Sequence, residues 1–168
     1  ATPDIIPVHN AGLCLLWPYL GTLFDRAGLR SKDDFPIASR LLATLLLQRV
    51  ATGTDVAYEH QLPFNKLLCG IPLDTPVDTR IPRPEHWPGL SEELLRAVIA
   101  HWSILKNTSP EALRSTFLLR HGRLQRDDHG WSLSITKTTL DILIDQIPWS
   151  VSLINLSWLP QPIRVQWT

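Results

Sequence analysis

The sequence predicts an α+β domain: about five helices, then a small, mostly antiparallel sheet made of a hairpin and two C-terminal strands. Three observations point there. Apolar residues recur at helical spacing through most of the first 118 positions. A turn signal at Asp127–Gly130 is followed by strict alternation at Trp131, Leu133 and Ile135. The last twenty residues are short apolar runs divided by prolines.

Taken in order, Ile5, Ile6 and Val8 form a short extended lead-in, and Asn10 is placed to cap a helix through its side-chain oxygen. Leu13, Leu16, Trp17, Leu20 and Phe24 make that helix, with a kink expected at Pro18 and an end at Gly28. Asp34 and Pro36 announce a second helix over 37–50, with leucines around much of its circumference, as in an element central to the core. After a loop at Ala51–Asp55, Tyr58–Cys69 reads as a shorter helix closed by Gly70. Residues 71–90 are proline-rich and irregular, and so long a loop is expected to be the least rigid part of the domain.

Ser91, followed by Glu92 and Glu93, reads as the N-cap of a fourth helix carrying Leu94, Leu95, Val98, Ile99, Trp102 and Leu105. Ser109-Pro110-Glu111 starts a fifth in the same manner, burying Leu113 and Phe117. The hairpin 123–135 comes next. A helical stripe of Leu140, Leu143, Ile144 and Ile147 has Asp141 and Asp145 on its polar side. Strands at Ser150–Trp158 and Ile163–Trp167 close the chain. Residues 1–168 are thus expected to be one compact domain; the initial Ala in place of Met suits a segment of a longer chain.

Composition narrows the function classes. Hydrophobic residues make up 44% and charged residues 19%, which suits a soluble globular chain. Sixteen basic and sixteen acidic residues cancel, so neither nucleic acid nor an anionic membrane is an expected partner. The nearest thing to a basic patch, Arg114, Arg120, Arg123 and Arg126, reads as a solvated face. No apolar run approaches the length of a membrane span, so no membrane anchoring is expected. Cys14 and Cys69 both lie in apolar company and read as free, buried thiols.

Catalytic, metal-binding and cofactor-binding signals are all missing from the pattern. Six histidines are scattered without the close pairing a zinc site needs; Glu59-His60, for example, has no second histidine one turn on. There is no G-x-S-x-G, and neither cysteine has a neighbouring histidine. The acidic pairs Asp33-Asp34, Glu92-Glu93 and Asp127-Asp128 belong to helix starts or turns. What stands out instead is seven tryptophans, three of them (Trp149, Trp158, Trp167) near the C-terminus. They either complete the core of a small sheet or form an aromatic platform for a protein partner. Trp158 and Trp167, with Pro82 and Trp87 of the proline-rich segment, are the candidate protein-interface residues.

Five stretches together resemble a known family. They are VHNAGLCLLWPYL (8–20), LLQRVATGT (46–54), EHQLPFNKLLCGIPLDTPV (59–77), HWSILKNTSPEALRSTFLLRHGRLQ (101–125) and IDQIPWSVSLINLSWLPQPIRVQW (144–167). In this order they resemble the tape measure proteins of bacterial contractile injection systems, phage-tail-like particles that drive an inner tube through a sheath. The resemblance implies a non-enzymatic structural or assembly protein with no active-site residues and no cofactor. It also implies partners among the inner-tube, hub or spike, and baseplate proteins. The expected location is the bacterial cytoplasm during assembly, then the particle. Two alternatives stay open: a generic adaptor or assembly chaperone, and an enzyme with a discontinuous site near His60.

Overall fold

The computed structural model describes residues 5–168. Its architecture is α+β, a layer of helices packed on a five-stranded mixed sheet. Strand β1 (Ile5–Val8) enters first, and a 3-10 helix over Ala11–Tyr19 runs directly into helix α1 (Leu20–Arg26). Ala11–Leu16 are all buried, and a Cβ on Gly12 would lie 1.7 Å from the Phe117 carbonyl oxygen, so the segment presses backbone to backbone on a later helix. Asn10 does not cap it, contrary to expectation. Its side chain turns into the core and donates to Gln48 and Asn65 instead.

Helix α2 (Ile37–Thr52) follows Pro36, overruns the expected loop start at Ala51, and is central as expected, with Ala43–Gln48 buried without interruption. The next helix is divided: a 3-10 turn at Glu59–Gln61, then α3 (Pro63–Cys69) with the proline in its first turn. The proline-rich loop ends earlier than expected, because α4 (Trp87–His101) begins four residues before Ser91 and takes Pro88 into its first turn. Ser91 is consequently no N-cap; it is buried and receives the Arg114 guanidinium at 3.1 Å. The loop itself is pinned. Lys66 Nζ donates to the Leu73 carbonyl, the Val77 N–H to Glu59, and Arg83 to the Asp55 carbonyl.

Helix α5 (Pro110–Leu113) starts at Ser109, whose hydroxyl accepts from the Ala112 N–H at 3.1 Å, and it continues as a π-helical turn over Arg114–Leu118. Strands β2 (Gly122–Asp127) and β3 (Gly130–Ile135) form the expected hairpin, burying Leu124 against Leu133. Strand β4 is only Leu153–Ile154, and β5 is Ile163–Trp167. The sheet order is β1-β2-β3-β5-β4, so the lead-in strand is part of the sheet, on its β2 edge. All pairings are antiparallel except β3 with β5. That pair is parallel because a crossover lies between them, containing a 3-10 helix at Thr139–Gln146. Of the stripe expected there, Ile144 is buried and Leu143 and Ile147 pack on the core, while Leu140 is exposed.

The expected strand Ser150–Trp158 shrinks to two residues for a definable reason. The Trp149 indole N–H donates to the Leu15 carbonyl at 2.9 Å, and that of Trp158 to the Leu68 carbonyl at 2.8 Å. Both ends of the segment are therefore tied to the helical layer and off the sheet. The expected solvated arginine face is also half wrong. Arg123 and Arg126 are exposed, but Arg114 is buried, reaching the Val50 carbonyl (2.9 Å), Glu92 (2.9 Å) and Glu111.

Arg120 grips Asp141 with two bonds of 2.7 and 2.8 Å, and Asp141 also accepts from the Thr138 N–H at 2.8 Å. Burial pushes the Asp141 carboxyl up, but the Arg120 and Thr138 hydrogen bonds outweigh it and hold the group below the ordinary carboxylate range. Arg120→Met should cost about 3–5 kcal/mol in urea unfolding at neutral pH, because it leaves a buried charge unpaired. In the wild type the stabilisation from Asp141 is present above about pH 4 and is lost as pH falls through its depressed value. Acid titrations of stability should show this loss attenuated in the variant.

Candidate functional site

A surface cleft of about 440 Å³ opens between the C-terminal end of α3, the hairpin and the connection before β5. Its first wall is the latter part of the 59–77 stretch: Leu67, then Gly70 through Asp74. The second is Leu159 through Ile163, and Arg126 and Trp131 of the hairpin make the third. Pro72, Pro160 and Pro162 stiffen the two irregular walls by fixing backbone torsions.

Gly70 is where the first wall turns. It ends α3 with φ +73°, and a Cβ there would meet Arg40 Nη1 at 2.7 Å and the Trp158 carbonyl oxygen at 3.2 Å. Only glycine suits both demands. Arg40 then holds the turn by donating to the Gly70 carbonyl at 3.1 Å and, through Nε, to that of Phe35 at 2.8 Å. Behind the second wall, Trp158 packs on Phe24 and Phe35 at centroid distances of 5.6 and 5.4 Å, with the Arg30 guanidinium over its ring at 4.9 Å.

The four residues singled out from the sequence fall in different places. Trp158 is half-buried and anchors the cleft wall from behind. Trp167, also half-buried, donates to the Val151 carbonyl at 3.1 Å on β5. Pro82 is exposed on the loop. Trp87 is wholly buried, so it presents no face to a partner; it seats the loop end in the core. The cleft-lining residues Asp74, Arg126, Trp131 and Gln161 were not singled out as a site. The available signal was a pair of proline-bracketed connections, Ile71–Val77 and Leu159–Pro162, which only the fold brings face to face.

His60 is not among the cleft walls. It is exposed and stacks on Tyr58, centroids 5.8 Å apart and planes 12° apart. A polar cluster lies inside the apolar core. Asn10 Nδ2 donates to Asn65 Oδ1 (2.7 Å) and Gln48 Oε1 (3.1 Å), and Asn65 Nδ2 donates to the Thr44 carbonyl (2.9 Å). Gln48 Nε2 lies 3.2 Å from His9 Nε2, so the neutral ring accepts that bond. Burial, then the charges of His121 and His60, push the His9 imidazole below its ordinary range. No three histidine, cysteine or acidic side chains among the described residues are grouped to hold a metal ion. Cys14 and Cys69 are free and buried, and burial pushes both thiols far up, away from the thiolate form.

The family model for contractile injection system tape measure proteins matches residues 1–167, and the chain belongs to that family. It is accordingly a structural component of a contractile particle. Among curated proteins and among solved structures, nothing matches the chain. No helix among the described residues is long and apolar enough to cross a membrane.

His9 takes up its proton at lower pH in the folded than in the unfolded chain, so its contribution to stability is complete above about pH 6.5 and falls away below that value. Urea midpoints should drop between pH 7.5 and 5.5, and His9→Gln should flatten the drop. Trp158→Phe keeps a ring against Phe24 and Phe35 but leaves the Leu68 carbonyl without its donor. A loss of about 1–2 kcal/mol in the same assay is expected.

Proposed function

We propose that this chain is a non-enzymatic assembly module, which docks on inner-tube, hub, spike or baseplate components during particle assembly and length control. Assembly would take place in the bacterial cytoplasm. One observation carries the reading. Val8, Gly122, Ile135 and Trp167 lie in a single row across the sheet, so the first and last strands are separated by only two others. With about 4.8 Å per strand spacing and about 3.3 Å per residue along β1, Ile5 and Trp167 lie roughly 15–20 Å apart. A wholly helical chain of 168 residues would reach about 250 Å. The longest helix here has 16 residues, or about 24 Å.

Length therefore cannot be set by the extension of these residues in their folded form. Residues 1–168 act instead as one folded unit of a tape measure chain, and extended polypeptide does the measuring. Exposed Pro82 and the open faces of Trp158 and Trp167 are further contact points on this reading. Removing the whole unit should abolish particle assembly, seen as loss of sheathed particles by electron microscopy. Graded shortening of particles by small deletions within 5–168 would contradict it. Mass spectrometry of purified particles separates a resident component from an assembly chaperone, which would be missing from them.

A further inference from the structure

We infer that the cleft between α3 and the hairpin is a docking groove for a peptide segment that places an acidic residue beside a bulky apolar one. The inference rests on the structural-component reading and names a contact through which such a protein engages its partner. Its basis is an unpaired charge. Arg30, Arg40, Arg114, Arg120 and Arg164 are each bonded to a carboxylate or a carbonyl, while Arg80, Arg96 and Arg123 are exposed without a side-chain partner among the described residues but are not among the cleft walls. Arg126, the cation of the cleft wall, is exposed and has no hydrogen-bond or ion-pair partner among the described residues. Its guanidinium lies over Trp131 at 5.9 Å. Stacking on an indole orients the group and leaves its N–H edge free for a two-point grip on a carboxylate.

The rest of the cleft specifies what accompanies that carboxylate. Leu73, Trp131 and Leu159, part-exposed over a buried floor of Leu67, Ile71 and Ile163, offer an apolar surface for a large side chain. Gln161 and Asp74, exposed and without side-chain partners among the described residues, are placed to bond to peptide groups or to a basic neighbour. A volume of about 440 Å³ is within the range of sites that enclose a ligand of a few residues. One cation and one carboxylate on the walls do not make the row of positive charge that nucleic acid requires. Proline-stiffened walls reduce the ordering cost of binding.

The test is selection from a random nine-residue peptide library, displayed on phage, against the full chain. The expected consensus has Asp or Glu adjacent to Leu, Ile, Phe or Trp. Arg126→Glu should weaken a synthetic consensus peptide about tenfold or more in calorimetry and shift the selected residue from acidic to basic. Because Arg126 is exposed, the variant should keep the wild-type melting temperature. As a second check, Gln161→Trp fills the cleft from its rim and should block the peptide. No consensus, or a consensus indifferent to Arg126→Glu, overturns the inference. So does a concentration-dependent dimer that Arg126→Glu dissociates, since the occupant would then be a second copy. If the chain is found in purified particles but no peptide is selected, the groove fails and the structural role stands. A chain missing from particles overturns that role and leaves the peptide preference to be judged by the selection.

Discussion

The fold depends on how a C-terminal tail with little regular structure is held against the helices. Five of the seven tryptophans donate their indole N–H to a main-chain carbonyl: Trp17 to Ser150, Trp102 to Leu143, Trp149 to Leu15, Trp158 to Leu68 and Trp167 to Val151. Four of these bonds join the tail or the crossover to the helical layer, and two span more than 130 residues. Each ring adds apolar burial to one directed bond, so the irregular segment gains both a site and an orientation. Carbonyls that a two-residue strand cannot pair are satisfied in the same way.

A second polar device specifies how the helices meet. The Asn10–Gln48–Asn65 cluster joins the start of the first helical segment, α2 and α3 in a region that is otherwise apolar. Leucine-rich surfaces such as α2 can slide against one another with little penalty; paired amides cannot, because misregister leaves them buried and unbonded. Arg114 performs a parallel role on the other side of α2, joining its end to α4 and α5. The cluster is not fully satisfied: among the described residues Asn10 Oδ1 has no partner, and neither has Trp87 Nε1. At both atoms packing has overridden hydrogen bonding.

Much of this was legible in the sequence, for reasons that can be named. Leucine periodicity located α2 and α4, Ser109 marked the start of α5, and alternation after Asp127 located the hairpin, because these signals are local. The misreadings share a cause. Asn10 and Ser91 have capping chemistry, yet tertiary partners claimed both side chains. Arg114 and Arg120 looked solvated because their carboxylates lie elsewhere, Glu92 and Asp141 among them. Trp87 sits in a proline-rich segment but falls inside the core. The cleft was illegible for the same reason: its walls come from residues about 55 and 90 positions apart, and no local pattern records that they meet.

The same long-range closure bears on what a member of a tape measure family can do with this unit. Strand β1 runs parallel to β3 and β5, so the chain enters at one end of the sheet and leaves at the other. Tension between the two ends loads the ladders between these strands in shear, with many hydrogen bonds sharing the force, rather than opening them one at a time. Extension then requires the tryptophan bonds to Leu15 and Leu68 to fail together with the ladders. Such a unit behaves as a fixed body of roughly constant span. On the proposed reading, such a unit would serve as an anchor in a chain under extension, and length would reside in whatever polypeptide can be drawn out.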